Sequence, residues 1–191
     1  MHVSAKVDYG MRALLQLATA YKGAETSLMK GEEISQAQSI PLKFLEGILT
    51  ELRHAGFVVS QRGAVGGYRL SRDPSQISLA DVVRALDGPL AAVRGARPED
   101  VTYDGASEHL RDVWVALRAS LRKVLENVTL ADVSNNKFDD SVEKLLDEPG
   151  AWESRPLYAT GQQVKNEELA MTELARVFGA NPRNPADSFT I

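Results

Sequence analysis

The sequence lacks cysteine: its 191 residues include none, and only three are histidine, His2, His54 and His109. Without thiols, the chain has no disulfide framework, no cysteine nucleophile, no cysteine-ligated zinc site and no thiolate-held iron–sulfur cluster. The histidines are widely spaced and match no metal-ligand motif. Carboxylates alone could form a metal site, but no pattern indicates one, so we expect no cofactor.

Long hydrophobic runs are also absent. No apolar stretch approaches the roughly 20 residues needed to cross a bilayer, and residues 1–6 lack the apolar segment of a secretory signal. We therefore expect a cytoplasmic protein that does not contact a membrane. No nucleophile–base set is recognisable, and the glycines of residues 63–67 do not open a helix as a phosphate-binding loop does. An enzyme is therefore not expected.

Charge is distributed unevenly along the chain. The formal net charge is −4, but residues 1–72 carry nine Lys/Arg and six Asp/Glu, whereas residues 73–191 carry thirteen and twenty. The first part is therefore net positive by 3 and the second net negative by 7. This asymmetry favours a basic contact surface on an acidic body. Solvated faces that differ by chance would give the same imbalance.

Three short helices are predicted near the N-terminus. Ser4 is a good N-cap for the first, whose apolar stripe continues to about Tyr21. The second covers residues 30–38. The third starts at the Ser-Ile-Pro sequence of residues 39–41 and stops at residues 55–56, where glycine favours a left-handed cap.

A hairpin is predicted after the third helix. Residues 57–62 and 68–71 are extended and β-branched or aromatic, and residues 63–67 form a glycine-rich turn between them. A fourth helix follows from Ser78 to about Gly88. This order predicts a mainly α fold with a small β-hairpin, a winged helix-turn-helix domain over residues 1–88. A helix of this kind fits the major groove of DNA, and an arginine on a wing suits the minor groove.

The most regular pattern lies beyond a predicted linker loop at residues 89–105. Apolar residues alternate steps of four and three, which is typical of a helix–helix seam. The seam comprises Leu110, Trp114, Leu117, Leu121, Val124 and Val128. A helix over residues 106–128 would be about 35 Å long. We expect a dimerisation region at 106–138, with a second copy as the partner.

The C-terminal extension, residues 139–191, has a different composition. Residues 139–173 contain nine acidic and three basic residues. Residues 166–178 are predicted to be helical, and the last stretch is expected to be a flexible tail. The chain ends in Ile191, which is compatible with capture of a terminal carboxylate by a partner protein.

Several stretches resemble the Rrf2 family of bacterial winged helix-turn-helix transcription regulators. The resemblance rests on residues 4–9, 40–46, 52–58, 62–70 and 125–130. Its most specific part is the Arg-Gly-x-x-Gly-Gly-Tyr wing after a Leu-Glu pair in the third helix. It extends to about Asn136 and leaves residues 142–191 outside. It implies a homodimer that binds an imperfect DNA palindrome, most often as a repressor.

The resemblance also implies roles for individual residues. Lys43 and Glu46 fall where the recognition helix of the family meets DNA, and Arg62 where the wing enters the minor groove. The remaining residues expected at the DNA are Gly66, Gly67, Tyr68, Arg69 and Arg72. Alternative interpretations are a surface charge at Glu46 paired with Arg53 or Thr50, a packing role for Tyr68, and solvated side chains for Arg69 and Arg72.

The chain departs from the family at the cofactor site. Members that hold an iron–sulfur cluster carry three cysteines between the fourth helix and the dimer helix, where residues 91–100 of this chain have none. Arg111 stands near a position where a histidine ligand is found, and Asp8 where some relatives supply a carboxylate. Iron–sulfur, nitric-oxide and thiol-redox sensing are therefore excluded, which favours a response to a small molecule or a protein.

A second function class remains open. The winged-helix scaffold would then be a protein-interaction adaptor without DNA affinity, docking a metabolic enzyme such as cysteine synthase through its C-terminal tail. An adaptor has no need of Lys43 on the third helix or Arg62 on a glycine-rich wing. The basic surface therefore favours DNA as the partner.

Overall fold

The computed structural model describes residues 3–23, 27–63 and 65–153. The described residues up to Leu145 belong to one compact unit, and a second unit begins at Leu146. The helices and strands are α1 (Ala5–Thr19), α2 (Gly31–Gln38), α3 (Leu42–His54), β1 (Val58–Gln61), β2 (Gly67–Leu70), α4 (Leu79–Asp87), α5 (Leu110–Leu125), α6 (Leu130–Asn135) and α7 (Asp140–Leu146).

Local capping signals fix the starts of several helices. The Ser4 hydroxyl accepts a hydrogen bond from the Val7 N–H at 3.1 Å, so α1 begins where its N-cap predicts. Pro41 occupies the N-cap of α3, and Ser78 caps α4. The α1 helix ends at Thr19, two residues before the predicted Tyr21. Beyond Thr19, the backbone N–H groups of Ala20 and Tyr21 donate to carbonyls three residues back, as in a 3₁₀ turn.

The core lies among α1 to α4, the hairpin and α6. Each of these elements contributes apolar side chains that are almost completely removed from water. The largest are Leu14, Leu17, Ile34, Ile40, Leu45, Leu49, Leu52, Leu70, Ile77 and Leu130. Burying one such side chain contributes roughly 1.5–3 kcal/mol of transfer free energy, so this cluster holds α3 and the hairpin in fixed positions.

The hairpin pairs β1 and β2 antiparallel, with Val58 opposite Leu70 and Gln61 opposite Gly67. A further bridge joins Met29 to Tyr68. The Met29 N–H donates to the Tyr68 carbonyl at 2.9 Å, and the Tyr68 N–H donates to the Met29 carbonyl at 2.8 Å. The wing is therefore tied to the segment before α2, a contact that the sequence pattern did not reveal.

The predicted helix over residues 106–128 is wrong in its bounds. The α5 helix spans Leu110–Leu125, 16 residues, or about 24 Å. A 3₁₀ turn at Gly105–Ser107 precedes it, and Thr129 opens α6 with a capping box to Asp132. The Val128 carbonyl accepts from the Leu79 N–H at 2.9 Å, so the segment between α5 and α6 is held by α4.

The linker at residues 89–105 is more ordered than a plain loop. It contains a 3₁₀ turn at Pro98–Asp100, and Val101 is buried. In the described part of the chain, no helix is long and apolar enough to cross a membrane. The predicted helix at residues 166–178 and the C-terminal tail lie outside the described residues, whereas α7, which no pattern indicated, lies within them.

Candidate nucleic-acid interface

The α3 helix divides cleanly into a buried and an exposed face. Leu45, Ile48, Leu49 and Leu52 are buried against the core, whereas the residues between them face solvent. The exposed set contains Lys43, Phe44, Glu46, Gly47 and Thr50. Burial of one face therefore leaves a cation, a carboxylate and an aromatic ring available on the other.

Phe44 is a functional candidate that sequence reasoning missed. Its side chain is 67% exposed in the first turn of α3, which is unusual for a large apolar residue next to a buried core. Apolar side chains contact the thymine methyl group in the major groove of DNA. The signal available in the sequence was its position beside Leu45, off the buried stripe.

Glu46 is free of the ion pair that the alternative interpretation proposed. Among residues 3–23, 27–63 and 65–153 its carboxylate forms no salt bridge, and the Thr50 hydroxyl donates to its backbone carbonyl at 2.9 Å. Arg53 instead donates to the Ser60 hydroxyl at 3.5 Å, across from α3 to β1. The Glu46 carboxylate is thus available as a hydrogen-bond acceptor at the surface.

The wing requires glycine at two positions, Gly66 in the turn and Gly67 at the start of β2. A Cβ on Gly66 would lie 2.3 Å from the Gln61 carbonyl oxygen, and a Cβ on Gly67 would lie 2.5 Å from the Met29 carbonyl oxygen. Both neighbours are backbone atoms that cannot rotate away. The two glycines therefore shape the tip, on which Val65 is 81% exposed and Arg62 is exposed beside it.

Gly67→Ala is expected to lower the free energy of unfolding by about 1–3 kcal/mol, since the added methyl group forces the wing away from Met29. Gly47→Ala is the matched control. Among the residues that the structure describes, no neighbour lies within 4 Å of a Cβ there, so alanine in the middle of α3 is expected to raise stability by about 1 kcal/mol. Urea denaturation measures both, and equal effects of the same sign would contradict this description of the wing.

A positively charged groove of about 430 Å³ lies between the start of α2, the end of α3 and the wing. Arg62, Gly66, Gly67 and Tyr68, four of the residues expected at the DNA, all line it. Lys30 and Arg53 also line it, together with Glu32. These last three were missed, because their positions in the sequence do not reveal that the fold brings them to the wing.

The remaining predicted wing residues take part in the fold. Tyr68 is half-buried and packs against the core. Arg72 donates to the Gly56 carbonyl at 3.0 Å, and its guanidinium lies 5.0 Å from the centre of the Phe57 ring. Arg69 donates to the Leu70 carbonyl at 3.4 Å. The packing interpretation of Tyr68 fits this geometry, while phosphate contacts by the two arginines stay predictions.

Comparison with known proteins shows to which family the chain belongs. Residues 3–136 match the sequence profile of Rrf2, described as an iron-dependent transcriptional regulator. The chain belongs to the Rrf2 family. It is 48% identical over 154 residues to an HTH-type transcriptional regulator of Mycobacterium tuberculosis, covering 81% of this chain and 94% of that one. It is 33% identical to the HTH-type transcriptional regulator CymR of Bacillus subtilis, covering 71% and 91%.

Solved structures of Rrf2 regulators share the fold. The structure of CymR, the global cysteine regulator of B. subtilis, matches with a TM-score of 0.61 at 30% identity over 72% of this chain and 98% of that one. IscR of T. potens matches with a TM-score of 0.56 at 30% identity, over 71% and 88%. The chain is therefore a DNA-binding transcriptional regulator with a winged helix-turn-helix, and its relatives are regulators rather than enzymes.

The iron named in the family description does not fit the residues of this Rrf2 member. The chain has no cysteine, and the described residues contain no group of three or more His, Asp or Glu side chains that could hold a metal. Asp8 instead accepts from Arg12 at 3.3 Å, and Arg111 lies 3.9 Å from Asp112. Neither residue belongs to a ligand set.

Side-chain contacts close the loop at residues 91–105, which includes the stretch where the resemblance implies cysteines in cluster-binding members. The Trp114 indole N–H donates to the Tyr103 hydroxyl at 3.1 Å, and the Arg94 guanidinium lies 5.5 Å from the centre of the Tyr103 ring. Arg118 of α5 forms an ion pair with Glu99. These contacts hold the loop on α5 without a metal.

The predicted seam is covered only in part by the chain itself. No residue of α5 is buried in the single chain. Leu110 is 37% exposed and Leu117 is 42% exposed, and Trp114, Leu121 and Val124 are half-buried. Val128 lies outside this exposed stripe, because it follows α5 and is 4% exposed in the single chain. Val113, 56% exposed, extends the stripe instead.

Proposed function

We propose that this Rrf2 regulator acts as a homodimeric, sequence-specific repressor that reads an imperfect palindrome and does not sense through an iron–sulfur cluster. The observation that carries the proposal is the shared exposure of the polar face of α3 and of Arg62 on the wing. A helix and a hairpin tip displayed in this way suit the major and the adjoining minor groove.

The α3 helix supplies base contacts in this proposal. The Lys43 ammonium suits the acceptor edge of guanine. The Glu46 carboxylate, which has no side-chain partner among the described residues, suits the amino group of cytosine. Phe44 adds an apolar surface for a thymine methyl group. Lys30 and Arg53 in the neighbouring groove supply phosphate contacts, which set the register but carry no sequence information.

A second copy of the chain covers α5 in this proposal. The α5 helix is amphipathic and has no fully buried residue, so part of its apolar stripe is in contact with water. That exposure is unfavourable unless another surface covers it. A cavity of about 480 Å³ adjoins the stripe, lined by Trp114, Leu117 and Leu121 opposite residues 89–94. It offers space for side chains of the partner. Two-fold pairing would present two α3 helices to two half-sites.

In this proposal the chain has four parts with separate roles. Residues 1–88 read DNA, residues 89–105 link, residues 106–138 dimerise, and residues 139–191 form an extension of separate role. Repression would result from occupancy of the operator by the dimer, which blocks access of the polymerase. A protein partner at the C-terminal tail stays a prediction, since the tail lies outside the described residues.

The salt dependence of binding to random duplex DNA tests the proposed partner. Each Lys or Arg contact to a phosphate is expected to contribute about −0.9 to the slope of log affinity against log salt concentration. Affinity should therefore fall steeply between low and physiological salt. An affinity that does not change with salt would contradict the proposal and favour the adaptor function instead.

A further inference from the structure

Four arginines that no motif groups together line one groove away from the wing. Arg84 comes from α4, Arg97 from the linker, and Arg118 and Arg122 from α5. The last two are one helical turn apart and therefore project from the same face of the helix. The groove has a volume of about 460 Å³, and residues 88–91 contribute its apolar lining.

Carboxylates neutralise these arginines only in part. Glu126 accepts from Arg84 and, at 3.0 Å, from Arg122, while Glu99 pairs with Arg118. Asp81 accepts a second bond from Arg84 at 3.2 Å. Four guanidinium groups thus face three carboxylates, and one positive charge remains in excess.

Arg97 is the unpaired member of the set. Within the described ranges Arg97 forms no ion pair. Its charge nevertheless helps to lower the pKa of the Glu99 carboxyl, which a backbone hydrogen bond and Arg118 lower more strongly. Hydrogen bonds from Arg84 and then Arg122 likewise lower the pKa of Glu126. Because each guanidinium carries five N–H donors, the three carboxylates leave many donors unused.

We propose that this groove binds a small organic polyanion, with its phosphate or carboxylate groups on the arginines and its hydrocarbon part against residues 89–91. Arginine forks bind both groups through paired hydrogen bonds. The volume lies in the range of small-molecule sites. The excess positive charge, centred on Arg97, is the property that selects an anion.

The groove is placed to influence the DNA-reading half of the chain. Arg84 belongs to α4, which packs against α1 and α3, whereas Arg118 and Arg122 belong to α5. An anion held by both helices would replace Glu126 as the bridge between them. This effector role rests on the proposed function, but binding of the anion does not depend on it.

Isothermal titration calorimetry of the full chain, without DNA, tests the site. The probes are pyrophosphate and citrate, each at an ionic strength held constant with sodium chloride. We expect saturable binding of at least one probe, and the tighter probe shows whether the groove prefers phosphate or carboxylate. Arg97→Gln, which breaks no ion pair, is expected to weaken that binding at least about tenfold.

Arg111→Gln is the matched control, since Arg111 lies on the same helix but outside the groove. It should bind the probe as tightly as the unmodified chain. No saturable heat with either probe at millimolar concentration would overturn the proposal. Equal weakening in the two variants would also overturn it. Loss of affinity for random duplex DNA in Arg97→Gln, as large as in Arg62→Ala, would assign the groove to DNA and overturn it as well.

Discussion

Leu117→Asp is expected to convert the proposed dimer into a folded monomer. Leu117 is 42% exposed in the single chain, so a carboxylate there is tolerated by the protomer. In the dimer the same carboxylate would be buried without a partner, which costs about 3–5 kcal/mol and raises the dissociation constant of the dimer by a factor of at least about 100. Light scattering coupled to gel filtration measures the change in mass.

Ala119→Asp is the control for the dimer prediction. It introduces the same charge two residues away on the exposed surface of α5, about 200° around the helix axis from Leu117. Its mass should remain that of a dimer. A dimeric mass for Leu117→Asp, with unchanged circular dichroism, would show that α5 is covered by another surface and that the stripe does not join two copies.

Arg62→Ala is expected to weaken binding to a selected operator by about 1–3 kcal/mol, or roughly five- to 150-fold. The side chain lies exposed at the end of β1, beside a tip shaped by Gly66 and Gly67. The narrow minor groove concentrates negative potential and attracts an arginine inserted there. Sequence preference should therefore relax at minor-groove positions, as measured by fluorescence anisotropy with a panel of duplexes.

Arg62→Lys separates charge from shape at the same position. It keeps the positive charge, and so the salt slope, but replaces the planar guanidinium with a more strongly hydrated ammonium. We expect it to recover only part of the affinity lost in Arg62→Ala. Unchanged affinity and unchanged base preference in both variants would show that the wing does not enter the groove.

The winged fold could be predicted because its signals are local. Ser4, Pro41 and Ser78 mark helix starts, and the change from helical to alternating periodicity after Gly56 marks the hairpin. The bounds of α5 could not be predicted in the same way. Val128, three residues beyond its end, is held by a tertiary bond from the Leu79 N–H that no local pattern indicates, although the Thr129–Asp132 capping box is visible in the sequence.

The candidate DNA surface was predictable only in part. The glycine-rich tip and Arg62 form a contiguous motif, whereas Lys30 and Arg53 reach the same groove through the packing of α2 and α3. Phe44 lies off the predicted apolar stripe of α3, but it was missed because a single exposed apolar residue is not by itself a functional signal. Arg72 was expected at phosphates, and its contacts with Gly56 and Phe57 show that a cation near the wing can also serve the fold.

Selection of bound fragments from a random duplex library tests the central claim most directly, because it makes no assumption about the operator. Two α3 helices related by two-fold symmetry should enrich sites with two inverted half-sites, whose centres lie about 10 base pairs or a multiple of that apart. Enrichment of a single unrepeated half-site, or no enrichment over the starting library, would contradict a dimer that reads DNA through α3 and the wing.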